Sequence, residues 1–315
     1  MSIEQPLFTV ATITYNSGKW VRQAIESILA SSFTDFELLI SDDCSIDETW
    51  SIVKQYNDPR IRSWRNEHNI GEYRNRNKVL GEASGRFILF IDGDDILYKD
   101  ALARCATYIT AFPSAKAVWG IYPVYFDFVA LPYLFTPLQL TRLNYLSTYP
   151  LTVVGLAESF FSVQALLQTG GFDERFAIGD TYIKRVFCCR FPVLLATAGF
   201  AHWRQYPEQA SNRVRSFYKQ LTETYLIDKE ILWSKTNPLE DEELQKARTN
   251  FYIRTIKLVV LNTIRKGKLF DFFKLMNRLK LPYSHLRYLL KKGNYTYRAG
   301  AVSGTPLLNN YHFKL

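Results

Sequence analysis

The first 120 residues alternate short apolar runs with stretches in which apolar positions recur at helical spacing. The apolar runs predict five β-strands, at residues 7–13, 36–40, 60–64, 87–91 and 117–121. After the first run, Asn16 and Ser17 are candidate helix caps, and Val21, Ala24 and Ile28 fall on one face of a predicted helix. Strands that alternate with helices in this way are typical of a largely parallel sheet flanked by helices.

Polar residues stand where three of these strands end. The three ends carry Thr14-Tyr15-Asn16, Asp42-Asp43 and Asp92-Gly93-Asp94-Asp95. In open α/β sheets, ligands bind outside the carboxyl ends of the strands. We therefore expect these polar residues to converge on one crevice and to form a binding site there.

The pattern changes after residue 121. Residues 122–155 are rich in aromatic residues and proline without clear periodicity, which predicts a loop or short elements beside a site. Beyond residue 212 the chain reads as mostly helical, with an apolar stripe that includes Leu269, Phe272, Phe273 and Met276. We predict one domain over residues 1–212, with an internal division at 121/122, and a helical basic region over 213–315.

Charge sets the last region apart from the rest. The 315 residues carry a net charge of +9. Between Leu244 and Ala299 there are fourteen Lys or Arg and one acid, Asp271, so the remainder of the chain is mildly acidic. A basic segment with apolar stripes is typical of helices that meet an anionic membrane, and equally of helices that pack on a neighbouring domain with solvated charged faces.

Other classes of protein are excluded by composition and spacing. Four cysteines show neither zinc-ligand spacing nor a disulfide framework. The first residues do not read as a secretory signal, and no apolar run is long enough to span a membrane. These features predict a cytoplasmic protein. No nucleic-acid recognition motif is present, so we expect no nucleic-acid partner.

The acidic run after the fourth strand is the first chemical signal. Asp92 and Asp94 are separated by one glycine, and two carboxylates so spaced can both face a hard cation that holds a diphosphate. Taken alone, an ordinary turn is an equally good interpretation of this pattern.

Four motifs in order and spacing resemble the family 2 inverting glycosyltransferases of the GT-A fold. They are Thr12-Ile13-Thr14-Tyr15-Asn16, the segment Leu39 to Asp47 that contains Asp42-Asp43, the pair Asn69-Ile70-Gly71 and Arg76-Asn77, and Phe90-Ile91-Asp92-Gly93-Asp94-Asp95. The resemblance covers about residues 7 to 121, and Cys44 stands where the family usually has glycine. It implies a Rossmann-like GT-A fold with a largely parallel central sheet, extended here by a mostly helical basic region.

The resemblance also implies roles for individual residues. Thr14, Tyr15 and Asn16 would line the donor site, with Tyr15 packed on the nucleotide base and Asp43 hydrogen-bonded to uracil. Arg76 would also contact the nucleoside, Asp92 the ribose or metal region, and Asp94 would ligate Mn²⁺ or Mg²⁺. A helix cap for Asp43, ordinary packing for Tyr15 and a solvated helix face for Arg76 remain open alternatives.

A weaker match continues in the second half. Gly170-Gly171-Phe172-Asp173-Glu174 resembles the family's G-G-F-D-E, and Gly179-Asp180 falls where many members have Glu-Asp with the Asp as catalytic base. Asp180 is therefore the predicted base, with Asp173 second and a helix-starting role for Asp180 as the alternative. Tyr206 occupies a position where many members have His, and nearby His202 is left out of the predicted metal site.

These inferences predict a transferase that moves a sugar from a nucleotide diphosphate, most simply a UDP-sugar, to an acceptor hydroxyl with inversion. The predicted acceptor is a lipid-linked glycan in cell-surface polysaccharide synthesis, reached at the cytoplasmic face of the inner membrane. The alternative is a non-catalytic scaffold that keeps nucleotide affinity and docks partners or membrane through its basic region. Asp180 separates the two, because a binding module has no need of a base.

Overall fold

The structure of the chain is a computed structural model, which describes residues 5–121, 130–147, 154–206 and 217–287. It divides into two units, residues 1–136, 153–187 and 191–212 in the first and 137–152, 188–190 and 213–315 in the second. The helices and strands are β1 Phe8–Thr14, α1 Val21–Leu29, β2 Phe36–Asp42, α2 Thr49–Val53, β3 Ile61–Arg65, α3 Glu72–Glu82, β4 Phe87–Phe90, β5 Ile96–Leu97, α4 Ala101–Ala111, β6 Ala117–Ile121, β7 Tyr133–Phe135, α5 Pro137–Tyr145, β8 Ser159–Ser162, α6 Val163–Gln168, α7 Gly179–Arg190, β9 Val193–Thr197, β10 Ala201–His202, α8 Phe217–Leu232, α9 Asp241–Asn262 and α10 Leu269–Arg278.

Eight strands of the first unit form one sheet in the order β3-β2-β1-β4-β8-β6-β9-β7. The three strands β3, β2 and β1 run parallel, and β4 continues this parallel set beside β1. β8 is antiparallel to both of its neighbours, and β7 is antiparallel to β9. β1 is buried at six of its seven positions, as expected for a central parallel strand that is covered on both faces.

Helix α1 lies on this sheet through the apolar face that its periodicity predicts. Val21, Ala24, Ile25 and Ile28 are all fully buried. The expected caps were wrong: the helix begins after Trp20 with no side-chain cap. The carbonyl oxygen of Ser17 accepts from the amides of residues 20 and 21 instead.

The aromatic stretch 122–155 contains more regular structure than its sequence indicates. β7 and α5 both fall inside it, whereas residues 122–129 and 148–153 lie outside the described residues. Hydrophobic periodicity does not reveal β7, because the strand has only three residues and an alternating pattern needs four or more to be recognised.

A buried carboxylate organises the turn before β10. Both oxygens of Glu158 accept hydrogen bonds from the amides of Gly199 and Phe200, and one also accepts from Ala201, at 3.0–3.2 Å. β10 then pairs antiparallel with β5, directly after the acidic run that ends β4. Glu158 thereby fixes the start of the segment that carries Arg204 and Tyr206.

We expect Glu158→Ala to lower the free energy of unfolding by about 3 kcal/mol, because three buried amides lose their acceptor. Urea unfolding followed by circular dichroism measures this loss. Glu174→Ala is the control, since the half-exposed Glu174 forms a surface ion pair with Arg74 worth about 1 kcal/mol at most. Equal losses in the two variants would contradict the role given to Glu158.

The second unit contains α5, α8, α9, α10 and the last three residues of α7. Arg142 on α5 pairs with Glu243 on α9 at 2.8 Å, and the hydroxyl of Tyr145 donates to Asp228 on α8 at 2.9 Å. The guanidinium of Arg254 donates to the carbonyl oxygens of Asn144 and Ser147. Among the described residues, no helix combines the length and apolar character that crossing a bilayer requires.

Candidate active site

The ends of β1, β2 and β4 meet at one edge of the sheet. The amide of Asp43 donates to the carbonyl oxygen of Thr14 at 2.8 Å, and the amide of Gly93 donates to that of Ile13 at 3.1 Å. The Thr14 hydroxyl donates to Asp42 at 3.0 Å. The structure therefore brings together the polar strand ends that the sequence places at this edge.

Asn16 ties the loop after β1 to the loop after β2. Its side-chain oxygen accepts from the amide of Ile46, and its own amide donates to the hydroxyl of Ser45, both at 2.9 Å. Asn16 and Cys44 both have left-handed backbones, with φ of 53° and 64°. Asn tolerates this conformation, whereas Cys44 adopts it where glycine would be unstrained.

Asp43 is buried and binds the loop that leads into α3. Its carboxylate accepts hydrogen bonds from Asn66 and from the amides of Ile70 and Gly71, each at 2.9 Å. It does not cap α2, the helix that follows its strand. A carboxylate has about four acceptor positions, so one stays available to a ligand. Tyr15 stands beside it with 45% of its surface exposed.

Three carboxylates cluster where β4 ends. Asp92, Asp94 and Asp95 offer oxygens that all lie within 4.8 Å of one another. Asp92 Oδ1 is buried, and no described residue donates a hydrogen bond to it. Burial and the charge of Asp92 raise the pKa of Asp94, against a hydrogen bond from Tyr206 that lowers it. An oxygen-only donor set with mutual repulsion and an unsatisfied oxygen fits Mg²⁺ or Mn²⁺.

The third carboxyl group gives a test by pH. Asp95 is 4% exposed, and burial with the charges of Asp92 and Asp94 raises its pKa to about 8. The folded protein then keeps a proton that the unfolded chain has released, so stability falls as the pH rises from about 4 to about 8. We expect this fall in chelator-treated protein by calorimetry.

The variant Asp95→Asn should flatten that profile. An asparagine keeps an oxygen to accept from the Arg204 amide, a bond of 3.1 Å in the protein. The Tm of the Asp95→Asn variant should exceed that of the wild type by about 3 °C or more near pH 8. The exposed Asp100 provides the control, because Asp100→Asn should leave the profile unchanged. Parallel profiles for wild type and Asp95→Asn would refute the shift.

Arg76 lies beneath the cluster and is almost fully buried. It is 2% exposed, and its Nη2 donates to Asp92 at 2.8 Å and to Glu72 at 3.0 Å. Its Nη1 is buried with no acceptor among the described residues. The alternative of a solvated helix face is therefore wrong. A direct contact with a nucleoside stays a prediction, whereas the observed contact orients Asp92.

The segment 203–206 lies over the cluster from the other side. Arg204 donates through Nε to the carbonyl oxygen of Asp94 at 2.8 Å, and its guanidinium lies 4.0 Å over the ring of Trp20. The Tyr206 hydroxyl donates to Asp94 Oδ2 at 2.8 Å. Tyr206, at the position usual for His, thus contacts the predicted metal ligand directly. The exposed His202 is not part of the acidic cluster.

Helix α3 holds the glycine-rich turn that precedes α7. Asn77 exchanges two hydrogen bonds with the backbone of Phe172, both at 2.8 Å. The Tyr73 hydroxyl donates to the carbonyl oxygen of Ala177 at 3.2 Å. A Cβ on Gly179 would stand 3.0 Å from the Tyr73 ring. A larger residue at position 179 would therefore have to displace the Tyr73 ring by a few tenths of an ångström.

Asp180 lies in the first turn of α7, close to the acidic cluster. Its charge acts on Glu72 of α3. Partial desolvation and the charges of Asp92 and Asp180 raise the pKa of Glu72, whereas the charge of Arg76 lowers it. The Asp180 carboxylate lies 3.5 Å from Lys184 Nζ and is 35% exposed. The N-cap of α7 is Ile178, and Asp180 is the acidic residue of the first turn, so the role of base stays a prediction beside the helix-starting alternative.

Asp173, the second candidate base, is engaged within its own turn. Its carboxylate accepts from the Arg175 guanidinium at 2.5–3.0 Å and from the Arg175 amide at 2.9 Å. Burial acts to raise the pKa of Asp173, but these hydrogen bonds bring it below its ordinary value. A carboxylate held in this way is a weak proton acceptor.

Sequence reasoning missed Glu72, Tyr73 and Lys184 as parts of this region. Two of them carried a visible signal, because Glu72 precedes Arg76 by four residues and Lys184 follows Asp180 by four, the spacing of ion pairs on a helix. Tyr73 carried none, since its contacts with the turn before α7 join segments 104 residues apart.

The residues at this edge of the sheet lie in a segment that is similar to known proteins. Residues 9–156 match the family model described as Glycosyl transferase family 2. The chain is 38% identical over 106 residues to the poly(ribitol-phosphate) beta-N-acetylglucosaminyltransferase TarS of Staphylococcus aureus, over 32% of this chain and 18% of TarS. It is 39% identical over 96 residues to the UDP-Glc:alpha-D-GlcNAc-diphosphoundecaprenol beta-1,3-glucosyltransferase WfgD of Escherichia coli, over 30% of this chain and 38% of WfgD.

The fold matches a solved structure over most of its length. The structure of S. aureus TarS residues 1–349 in complex with UDP-GlcNAc superposes with a TM-score of 0.55 at 19% identity, over 88% of this chain and 93% of that one. The predicted GT-A architecture, a mostly parallel sheet flanked by helices and followed by a helical region, is confirmed.

Proposed function

We propose that the protein is an inverting, metal-dependent transferase acting on a UDP-sugar, because residues 9–156 match the family model described as Glycosyl transferase family 2. The observation that carries the proposal is the triplet Asp92, Asp94 and Asp95, placed where β4 ends beside the ends of β1 and β2. Transferases of this kind need a cation site for the diphosphate next to a pocket for the nucleoside. TarS in complex with UDP-GlcNAc and the name of WfgD support UDP as the nucleotide.

In the proposed donor site, the nucleoside lies over the ends of β1 and β2. Tyr15 offers an exposed ring to the base, and Asp43 offers its remaining acceptor position to the uracil N–H. Thr14 and Asn16 hold the two loops through Asp42, Ser45 and Ile46. These residues fix the pocket before the donor binds, which reduces the entropy cost of binding.

The diphosphate would lie at the acidic cluster. Asp94 is the proposed metal ligand, with Asp92 oriented by Arg76 and Asp94 by Tyr206. A divalent cation held there would neutralise the diphosphate as it leaves. Arg76 balances part of the negative charge that the three carboxylates concentrate at this edge.

Asp180 is the proposed catalytic base. The acceptor oxygen bonds to the anomeric carbon while the bond from that carbon to the diphosphate oxygen breaks, and UDP leaves with the electron pair. Attack from the side opposite the leaving group inverts the configuration, and Asp180 takes the acceptor's proton. Lys184 Nζ lies 3.5 Å from the Asp180 carboxylate and holds it in the first turn of α7.

The proposed acceptor is a lipid-linked glycan of the bacterial cell surface, used at the cytoplasmic face of the inner membrane. The name of WfgD, which gives a diphosphoundecaprenol-linked acceptor for that relative, supports this class. We also propose a division into a catalytic part over residues 1–212 and a helical basic part over 213–315. The basic part would bring the catalytic part to an acceptor in an anionic membrane.

Thermal stabilisation by a panel of nucleotides tests the donor site. With Mn²⁺ present, UDP and one UDP-sugar should raise Tm by several degrees, and the shift should disappear with chelator or with GDP. Transfer to lipid extract, with NMR of the product's anomeric centre, tests the chemistry. Nucleotide binding without transfer to any acceptor would favour the scaffold alternative. No shift with any nucleotide would refute the donor site itself.

A further inference from the structure

The second unit exposes a group of large apolar side chains at the corner between α9 and α10. This corner patch consists of Leu261, Ile264, Leu269, Phe270 and Phe273. Phe270 is 80% exposed, and the other four are 38–57% exposed. Side chains of this size, exposed within thirteen residues of one another, are typical of a surface that meets a partner.

The patch belongs to a helix that is otherwise well anchored. On the opposite face of α10, Phe272, Leu275 and Met276 are 0–5% exposed. The Tyr218 hydroxyl on α8 donates to Asp271 at 3.1 Å, which holds the first turn of α10. Phe270 and Phe273 are therefore exposed on a fixed surface, although Phe273 belongs to the stripe that the sequence predicts to be buried.

The charge around the patch has one sign. Residues 264–280 contain six basic side chains, Arg265, Lys266, Lys268, Lys274, Arg278 and Lys280, against the single acid Asp271. Within the described part of the chain, none of these six forms an ion pair with an acid. At the other end of α9, three acids occupy the first turn, about 30 Å away along a helix of 22 residues.

The basic residues of α9 itself make contacts inside the second unit. Arg254 donates to carbonyl oxygens of Asn144 and Ser147, and Arg248 donates to Leu232 while its guanidinium lies over the Trp233 ring. Burial lowers the pKa of Lys257. Much of the basic character of this helix therefore serves packing inside the unit, and the charge available to a partner gathers at the corner.

We propose that the corner patch docks on an anionic lipid bilayer. Exposed Phe and Leu flanked by Lys and Arg match the requirements of an interfacial helix, in which apolar side chains enter the headgroup region and basic ones pair with lipid phosphates. Phe270 and Phe273, one helical turn apart, form the inserted edge. The surrounding cations select anionic over neutral lipid. Binding to lipid at this patch needs neither sugar donor nor acceptor.

Flotation of the full chain with vesicles tests this surface. We expect binding to vesicles of equimolar phosphatidylglycerol and phosphatidylcholine that weakens with added salt, and little binding to phosphatidylcholine alone. Lys266→Gln, Lys268→Gln and Lys274→Gln together should weaken binding on the order of a hundredfold, at about fivefold for each charge. Phe270→Gln with Phe273→Gln should weaken it about tenfold or more.

Leu226→Gln is the matched control, because Leu226 is a 46% exposed apolar residue on α8 of the same unit. It should bind vesicles as the wild type does. Unchanged binding by the phenylalanine double variant, or equal binding to neutral vesicles, would overturn the proposal. So would a marked fall in Tm of that variant, since the patch would then be covered by another part of the chain.

Two other partners would give different results. A dimer in sedimentation velocity that the phenylalanine double variant converts to a monomer, without vesicle binding by either protein, would assign the patch to a second copy of the chain. Binding to single-stranded RNA without binding to vesicles would assign it to nucleic acid. Either result overturns the lipid assignment, while UDP binding in the same samples reports separately on the donor site.

Discussion

Asp94→Asn is expected to abolish the metal-dependent binding of UDP and to reduce sugar transfer roughly a thousandfold, equivalent to about 4 kcal/mol of barrier. The reason is local: Asp94 is the proposed cation ligand, and its neighbours Asp92 and Asp95 crowd the same site. An asparagine keeps an oxygen to accept from Tyr206, so the fold around residue 206 is preserved. Loss of Mn²⁺ binding, followed by electron paramagnetic resonance, measures the effect without reference to turnover.

Tyr206→Phe provides a graded companion to that variant. The hydroxyl orients Asp94 but is not itself proposed as a ligand, so its removal should weaken Mn²⁺ binding about tenfold and leave UDP binding detectable. The two variants should therefore rank clearly in both measurements. An Asp94→Asn protein with wild-type Mn²⁺ affinity would remove the cation from this site.

Asp180→Asn is expected to reduce kcat by about 10²–10⁴-fold, the range for loss of a general base, while Mn²⁺-dependent stabilisation by UDP stays as in the wild type. The acceptor hydroxyl would then have no carboxylate to take its proton, whereas the strand ends that hold the donor are unaltered. Initial rates of UDP release with acceptor present, together with Tm with and without UDP, separate the two effects.

Asp173→Asn is the matched control for that variant, since Asp173 also belongs to the matched motif of the second half but is bonded to Arg175. It should keep transfer within about tenfold of the wild type. If Asp173→Asn lost transfer and Asp180→Asn retained it, the base would have to be reassigned to the glycine-rich turn.

The sheet could be predicted from sequence because most of its strands are short runs rich in apolar and β-branched residues. The prediction for residues 117–121 agrees with β6 to the residue, and that for 36–40 falls short of β2 by two residues because Ser41 and Asp42 are buried polar groups. Hydrophobicity cannot detect a buried carboxylate. Asp42 is buried only because Thr14, Ser45 and Arg65 supply its partners.

The site could be predicted from the sequence only for residues that belong to a recognisable motif. The polar strand ends could be placed because carboxyl ends of parallel strands share an edge, and the roles of Tyr15, Asp43, Arg76, Asp92, Asp94 and Asp180 stay predictions until the variants are made. The burial of Arg76 on α3 could not be foreseen, since it depends on a contact with Asp92, which follows β4. The contact of Tyr206 with Asp94 joins residues 112 positions apart, which no local pattern encodes.

The helical periodicity of the last region also predicts burial wrongly for two residues of α10. The predicted stripe places Leu269 and Phe273 inside, yet they are 57% and 47% exposed, whereas Phe272 and Met276 of the same stripe are buried. The turn at Gly267, with φ of 69°, redirects the chain between α9 and α10. Which face of α10 packs inside the unit depends on contacts such as that of Tyr218 with Asp271, which no local pattern encodes.

The packing of Tyr73 against Gly179 has a consequence for protein engineering and for evolution. Family members with Glu before the catalytic Asp differ from this chain at a position where any Cβ meets the Tyr73 ring and the carbonyl oxygen of Asp173, 3.1 Å away. Positions 73 and 179 are thus expected to change together, one gaining volume as the other loses it. Grafting the commoner glutamate alone would press on the Tyr73 ring and on the turn that presents Asp180, and a smaller residue at 73 would relieve only the first of these two contacts.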